Sequence, residues 1–265
     1  MRVPVLNLEA KRIKDITLPK EFSTPYRPDL INRAFWIVFT HSLQPKGTDP
    51  MAGKRTSAES WGVGHGVARV ARVKGSRYPR AGQAAGIAGV VKGRATHPPK
   101  SEKRIQKEIN KKERRLAIAS AIAATAISKV VEERGHKIPK NLKLPIVVTD
   151  ELQKIKKTKE LKDFLEKIGL EEELKRVISR KIRTGTARRR GRGKKVGKGP
   201  LIVISRDEGI IRAGRNIPGV DIVKVEKLNI LDLAPGGKGG RLTIWTESAI
   251  RNIPDTIKEV VKIAA

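Results

Sequence analysis

Ten lysines and arginines fall between Arg180 and Lys198 with no aspartate or glutamate among them. They are Arg180, Lys181, Arg183, Arg188, Arg189, Arg190, Arg192, Lys194, Lys195 and Lys198. The interrupting Gly185, Gly191, Gly193, Gly197 and Gly199 argue against a helix with one charged face. Phosphate contact is the chemistry that such a run serves best. A guanidinium can grip a phosphate with two donors and stack on a base, and arginine outnumbers lysine here. The run leads straight into the apolar stretch at Leu201, so it is expected to be anchored to a folded body. Six phosphate contacts would give log affinity a slope of roughly −5 against log salt. An unspecific polybasic or nuclear-targeting patch is the duller alternative. A membrane surface would also want a Trp, Phe or Leu face beside the cations, and this run has none.

A second tract, residues 44–100, is dense in glycine and carries Lys54, Arg55, Arg69, Arg72, Lys74, Arg77, Arg80, Lys92 and Arg94. From Trp61 to Lys100 it has eight Lys or Arg and no acid. So long a stretch without regular patterning is expected to be functional, disordered or ordered by a partner. Flexible linkers favour Ser, Glu and Gly, whereas this tract mixes its cations with Trp61, Tyr78 and aliphatic residues. Such a mixture suits a segment that lies along nucleic acid and orders there.

Other chemistry is thinly represented. Gly62-Val-Gly64-His-Gly66 resembles a phosphate-binding turn, but no apolar strand precedes it and no helical pattern follows. Pro235-Gly-Gly-Lys-Gly-Gly240 runs from loop into strand, the wrong order for a nucleotide loop, and is expected to be a tight turn. Glu171, Glu172 and Glu173 read as first-turn acids that favour a helix dipole. His41, His65, His97 and His136 are scattered, with neither metal-ligand spacing nor an identifiable partner. The chain has no cysteine, which excludes disulfides, thiolate zinc sites and a thiol nucleophile. Neither a catalytic grouping, a metal site nor a cofactor is expected.

The whole composition points the same way. Among 265 residues, 58 Lys and Arg against 27 Asp and Glu leave a net charge of +31, which suits a chain that meets a polyanion. No secretory pattern opens the chain, and its longest apolar stretch, Leu116–Ser128, falls short of the ~20 residues that span a bilayer. An intracellular, soluble protein is expected.

The elements that must position these cations read as an α/β body, residues 1–43 and 101–265, with residues 44–100 inserted as a long, extended basic loop. Strands are expected at Val3–Leu8, where Pro4 would suit an edge, and at Pro145–Thr149, Leu201–Ser205, Asp221–Val225 and Leu242–Thr246. Two of them are Val/Ile runs without alternation, which implies a mixed or mostly parallel sheet buried on both faces. Helices are expected from Leu30 to Leu43, capped by Asp29, with Leu30, Ala34, Ile37 and Val38 on one apolar stripe and Phe35, Trp36 and Phe39 broadening the buried face. A long central one should run from Ser101 to Gly135. Shorter helices are expected over Thr158–Ile168, Leu170–Ile182, Asp207–Arg212, Lys227–Leu233, Glu247–Asn252 and Asp255–Ile263.

Four phrases carry a family resemblance. Thr56–Gly62 reads TSAESWG, Ala117–Ala126 reads AIASAIAATA, Asp207–Gly219 reads DEGIIRAGRNIPG, and Lys227–Ser248 reads KLNILDLAPGGKGGRLTIWTES. Together they resemble the universal large-subunit ribosomal protein four family in its archaeal and eukaryotic branch. The chain ends soon after the last phrase, so an archaeal form is expected. The resemblance implies a structural, non-enzymatic ribosomal protein, cytoplasmic within the ribosome. Its implied partners are large-subunit rRNA, neighbouring ribosomal proteins and the nascent polypeptide. It further implies that the inserted loop threads through rRNA to the polypeptide exit tunnel, with Gly64, His65 and Gly66 at the tip. His65 stands where the eukaryotic pattern has Arg, so a fixed positive charge there is replaced by a titratable one. Two other classes compete: an RNA-acting enzyme such as a methyltransferase, and a DNA-compacting protein.

Overall fold

Ile146 to Val148, Leu201 to Ile204 and Thr243 to Thr246 are buried at every position, which requires that their sheet be covered on both faces. The computed structural model describes residues 1–139, 142–179 and 181–264 and divides the chain into two compact units. One comprises residues 1–41 and 107–265, the other residues 42–106.

In chain order the first unit opens with β1 (Arg2–Leu6), β2 (Arg12–Thr17) and α1 (Pro28–Thr40). The second unit holds β3 (Ala58–Glu59) and β4 (Arg72–Val73). The first unit resumes with α2 (Lys111–Ala126), α3 (Ser128–Glu133), β5 (Ile146–Val148), α4 (Thr158–Lys167) and α5 (Glu171–Ile178). There follow β6 (Lys181–Ile182), α6 (Gly185–Arg189), β7 (Lys194–Lys195), β8 (Leu201–Ile204), α7 (Ile210–Gly214) and β9 (Asp221–Lys224). The chain closes with α8 (Ile230–Leu233), β10 (Thr243–Thr246), α9 (Glu247–Arg251) and α10 (Asp255–Ala264).

The main sheet has the order β2-β1-β5-β10-β8-β9, with β2 antiparallel at one edge and the other five strands parallel. Alternation along each strand divides the core. Val3, Val5, Val147, Leu201, Val203 and Trp245 face α1, α2, α8, α9 and α10. Ile146, Val148, Ile202, Ile204 and Ile244 face α4, α5 and α7 on the opposite side. Trp245 is fully buried, packs edge-on against Phe22 at 5.4 Å and donates its indole N–H to Thr243. Residues 117–125 of α2 are buried without exception, so its apolar, small-residue half lies against the sheet as expected of a core helix.

Several local expectations are corrected. Strand β1 lies inside the sheet, not at its edge. Leu18 N–H donates to the Met1 carbonyl, so the backbone groups of Pro4 face away from β2, and pairing with β5 begins only at Val5. The missing N–H of Pro4 therefore costs no ladder bond. Helix α1 takes Pro28 at its first position. Asp29 is an ion-pair partner of Arg27 at 2.7 Å rather than the cap, and Trp36 is 56% exposed. The long central helix is shorter and broken: α2 starts at Lys111, and an extended Ile127 separates it from α3. Gly135, at φ +96°, does close α3. Helix α5 ends at Ile178 because Lys181–Ile182 turns into strand, and Asp207 stands before α7, accepting from the Gly209 and Ile211 amides.

Candidate nucleic-acid interface

The C-terminal basic run forms a small hairpin. β6 pairs antiparallel with β7, Lys181 opposite Lys195 and Ile182 opposite Lys194, and the short α6 fills the connection despite its glycines. Arg183 N–H reaches the Gly193 carbonyl at 2.7 Å and Arg192 N–H the Ala187 carbonyl at 2.9 Å, which fixes the turn. Arg183, Arg188, Arg189, Arg190, Arg192, Lys194 and Lys195 all stand exposed. Among the described residues none of these seven has a carboxylate partner. Arg180 lies outside the described residues. The hairpin and its connection thus present a one-signed array of guanidinium and ammonium groups, the arrangement that phosphate oxygens would neutralise.

The root of that hairpin is tied to the sheet. Gly199 N–H donates to the Gly219 carbonyl at 2.9 Å, and a Cβ at Gly219 would meet Gly197 O at 2.5 Å and Val177 Cγ1 at 2.3 Å. Gly219 also has φ +76°, so both its space and its backbone demand glycine. Arg241 is fully buried and donates to the carbonyls of Gly199 (2.9 Å), Asp232 (2.8 Å) and Gly219 (3.4 Å), and to the Asp221 carboxylate at 2.6 Å. Burial pushes the Asp221 carboxyl upward, but Lys198 and Arg241 outweigh it and hold it below its ordinary value.

A second buried ionic group lies on α5. Glu173, expected to be a helix-dipole acid, is wholly buried and binds Arg176 through two bonds of 2.7 Å, His136 Nδ1 at 2.7 Å and the Lys137 amide at 3.1 Å. His136 therefore does have a partner, contrary to the reading of scattered histidines; thirty-seven residues of separation hid it. Burial opposes the charge on Glu173, yet Arg176 and His136 hold its pKa down to about 2. Burial, with Arg176 and Arg134 nearby, keeps His136 below its ordinary value against the pull of Glu173, so the neutral ring donates Nδ1–H to the carboxylate.

In the second unit, β3 and β4 pair Ala58 with Val73 and Glu59 with Arg72, and an isolated bridge joins Arg72 to Ala84. The Ser60 hydroxyl donates to the Arg69 carbonyl at 3.0 Å, closing a loop that holds Trp61 and the triple-glycine segment. Gly62, Gly64 and Gly66 have φ of +81°, +92° and +65° with open space around each, so conformation rather than crowding selects glycine there. Trp61 is 48% exposed. Arg72 lies 5.5 Å over the centre of its ring and donates to the Gly82 carbonyl at 2.9 Å, while His65 packs on its edge at 5.9 Å. This is a half-open aromatic face with a guanidinium behind it.

The other cations of this unit separate into two groups. Arg55 pairs with Asp49 at 2.6 Å and Lys74 pairs with Glu59, while the Tyr78 hydroxyl donates to the Lys74 carbonyl. Lys54 is exposed on a turn. Arg69, Arg77, Arg80, Lys92 and Arg94 have no carboxylate partner among the described residues.

The carboxyl ends of the parallel strands, where ligands of open α/β sheets bind, are occupied by the protein's own side chains. Asp150 accepts from Ser248 N–H (3.0 Å), Ser248 Oγ (2.6 Å) and Gln153 (3.1 Å), and Gln153 in turn accepts from Arg206 N–H at 2.9 Å. Among the described residues no three His, Asp or Glu gather as a metal site, and no helix is long and apolar enough to cross a membrane.

Comparison with known proteins matches residues 16–256 to the ribosomal protein L4/L1 family. The large ribosomal subunit protein uL4 of Methanopyrus kandleri is 47% identical over 260 residues, 98% of this chain and 100% of that protein. The protein of the same name from Saccharolobus islandicus strain Y.N.15.51 is 46% identical over 257 residues, 96% of this chain and 94% of its own. Matched over residues 16–256 and similar along nearly its whole length to proteins of that name, this chain belongs to the ribosomal protein L4/L1 family.

Proposed function

We propose that this chain is a structural component of the large ribosomal subunit, working in the cytoplasm within the ribosome, and that it acts by binding large-subunit rRNA. Relatives spanning nearly the whole chain bear the name of a large ribosomal subunit protein, which supports a ribosomal and non-enzymatic role with rRNA and ribosomal proteins as partners. The observation that carries the rRNA reading is the exposed, acid-free cation array of residues 183–195 on an anchored hairpin. Arg183, Arg188, Arg189, Arg190, Arg192, Lys194 and Lys195 neutralise phosphates. In the second unit Lys54, Arg55, Arg69, Arg72, Lys74, Arg77, Arg80, Lys92 and Arg94 do the same, and Trp61 and Tyr78 offer ring faces to unstacked bases. The family resemblance extends the reading to the exit tunnel and the nascent polypeptide, with Gly64, His65 and Gly66 at the tip. Competition binding tests it. Deproteinised archaeal large-subunit rRNA should displace the protein from duplex DNA at equal phosphate concentration, with a steep salt dependence. Equal affinity for both would favour a general polyanion binder.

A further inference from the structure

The chain of contacts from His136 through Glu173 and Arg176 ends on the backbone of the basic hairpin. Arg176, after binding Glu173 with its Nε and Nη2, sends Nη2 on to the Lys198 carbonyl at 2.7 Å. Lys198 is the last cation of the hairpin's returning limb, and its ammonium is held by Asp221 at 2.8 Å. The outgoing limb leaves from the same helix two residues beyond Val177, whose side chain meets the positions of Gly199 and Gly219. The last turn of α5 thus holds the returning limb, through Arg176 on the Lys198 carbonyl and Val177 beside Gly199, and is also where the outgoing limb begins.

We infer that Glu173 is a positioning residue for RNA binding: buried and held by His136, it locks Arg176 onto the Lys198 carbonyl and so fixes the direction in which the hairpin presents Arg188, Arg189 and Arg190. This rests on the reading of the hairpin as an rRNA contact. The chemistry favours a carboxylate over any neutral side chain at position 173, because only a carboxylate accepts the planar fork of Arg176 with both oxygens while still accepting from an imidazole and an amide. Two paired strand residues on each limb cannot orient the array by themselves.

The test uses the full-length protein and deproteinised archaeal large-subunit rRNA, with affinity measured across a salt series. Glu173→Gln removes an acid, so bulk electrostatics alone would tighten binding. Positioning predicts the reverse, a loss of about threefold to tenfold, the worth of one or two phosphate contacts, with a shallower salt slope. Arg176→Gln, at the half-open surface, should weaken binding more than Lys175→Gln, which removes the same charge from the next residue. This pair keeps the test decisive if Glu173→Gln does not fold. The triple change Arg188→Ala, Arg189→Ala, Arg190→Ala tests the underlying reading. If that variant loses affinity while Glu173→Gln binds at least as tightly as the parent, or Arg176→Gln only matches Lys175→Gln, the positioning role is overturned and the hairpin contact stands. If the triple variant binds unchanged, the hairpin reading fails and the positioning role with it.

Discussion

The guanidinium of Arg241 and the carboxylate of Asp221 meet at 2.6 Å, with Arg241 wholly buried among three backbone carbonyls. This contact joins the approach to β10, the start of β9 and the root of the basic hairpin in a single knot. Replacing Arg241 by Met leaves Asp221 half-neutralised and removes the side-chain donor from the carbonyls of Gly199 and Asp232, while Gly219 keeps the Gly199 N–H. A loss of about 3–5 kcal/mol in unfolding free energy is expected by chemical denaturation. A change below about 1 kcal/mol would show that the knot is not structural.

Acid should destabilise the folded unit through His136 and then Glu173. Unfolded His136 takes up a proton near its ordinary 6.5, whereas the buried ring resists, so below neutrality the unfolded state binds more protons and stability falls as pH falls. Glu173 adds stability that is complete above its ordinary 4.5 and is lost as pH drops towards about 2. Unfolding free energy should decline between pH 7 and 5 in the parent, and His136→Asn should flatten that decline. An unchanged slope in the variant would contradict the assignment of a neutral, carboxylate-bound ring.

Trp61 is expected to matter for RNA and little for folding. Its ring is half open with Arg72 on one face, so a base stacked on the free surface would contribute about 1–3 kcal/mol. Trp61→Ala should weaken rRNA binding at constant salt slope, Trp61→Phe should retain most of it, and the thermal midpoint should move little in either. Equal affinity for all three proteins would leave the ring without a role in binding.

Limited trypsin digestion should separate two kinds of segment. The sheet and its helices should resist, while cuts fall between Gly53 and Gly93 and at Arg188–Arg190 in the free protein. Added large-subunit rRNA should protect both. Complete resistance of residues 53–93 without RNA would contradict ordering on RNA.

What the sequence could reveal follows from how each residue earns its burial. Ile146–Val148 and Leu201–Ile204 were legible because a strand covered on both faces must be apolar throughout. β2 was not, since Arg12–Thr17 is an exposed edge strand whose extended form comes from pairing with β1 rather than from its own composition. The cations of the hairpin were legible as a run, but the contacts that root it on the body were hidden in long-range partners. Glu173 resembled any first-turn acid, and Arg241 resembled a loop residue, until His136, Arg176 and Gly199 were brought beside them. The break at Ile127 carries no proline or glycine and had no local signature.

An integral part of the large subunit stays with the particle under salt conditions that strip loosely bound proteins. Sedimentation of a native extract through high-salt sucrose gradients, with quantitative detection of the protein, measures that directly. It should travel with the large subunit at one copy per particle and remain there as salt is raised. Release to the top of the gradient at moderate salt would contradict the account and return the protein to the class of loosely associated polyanion binders.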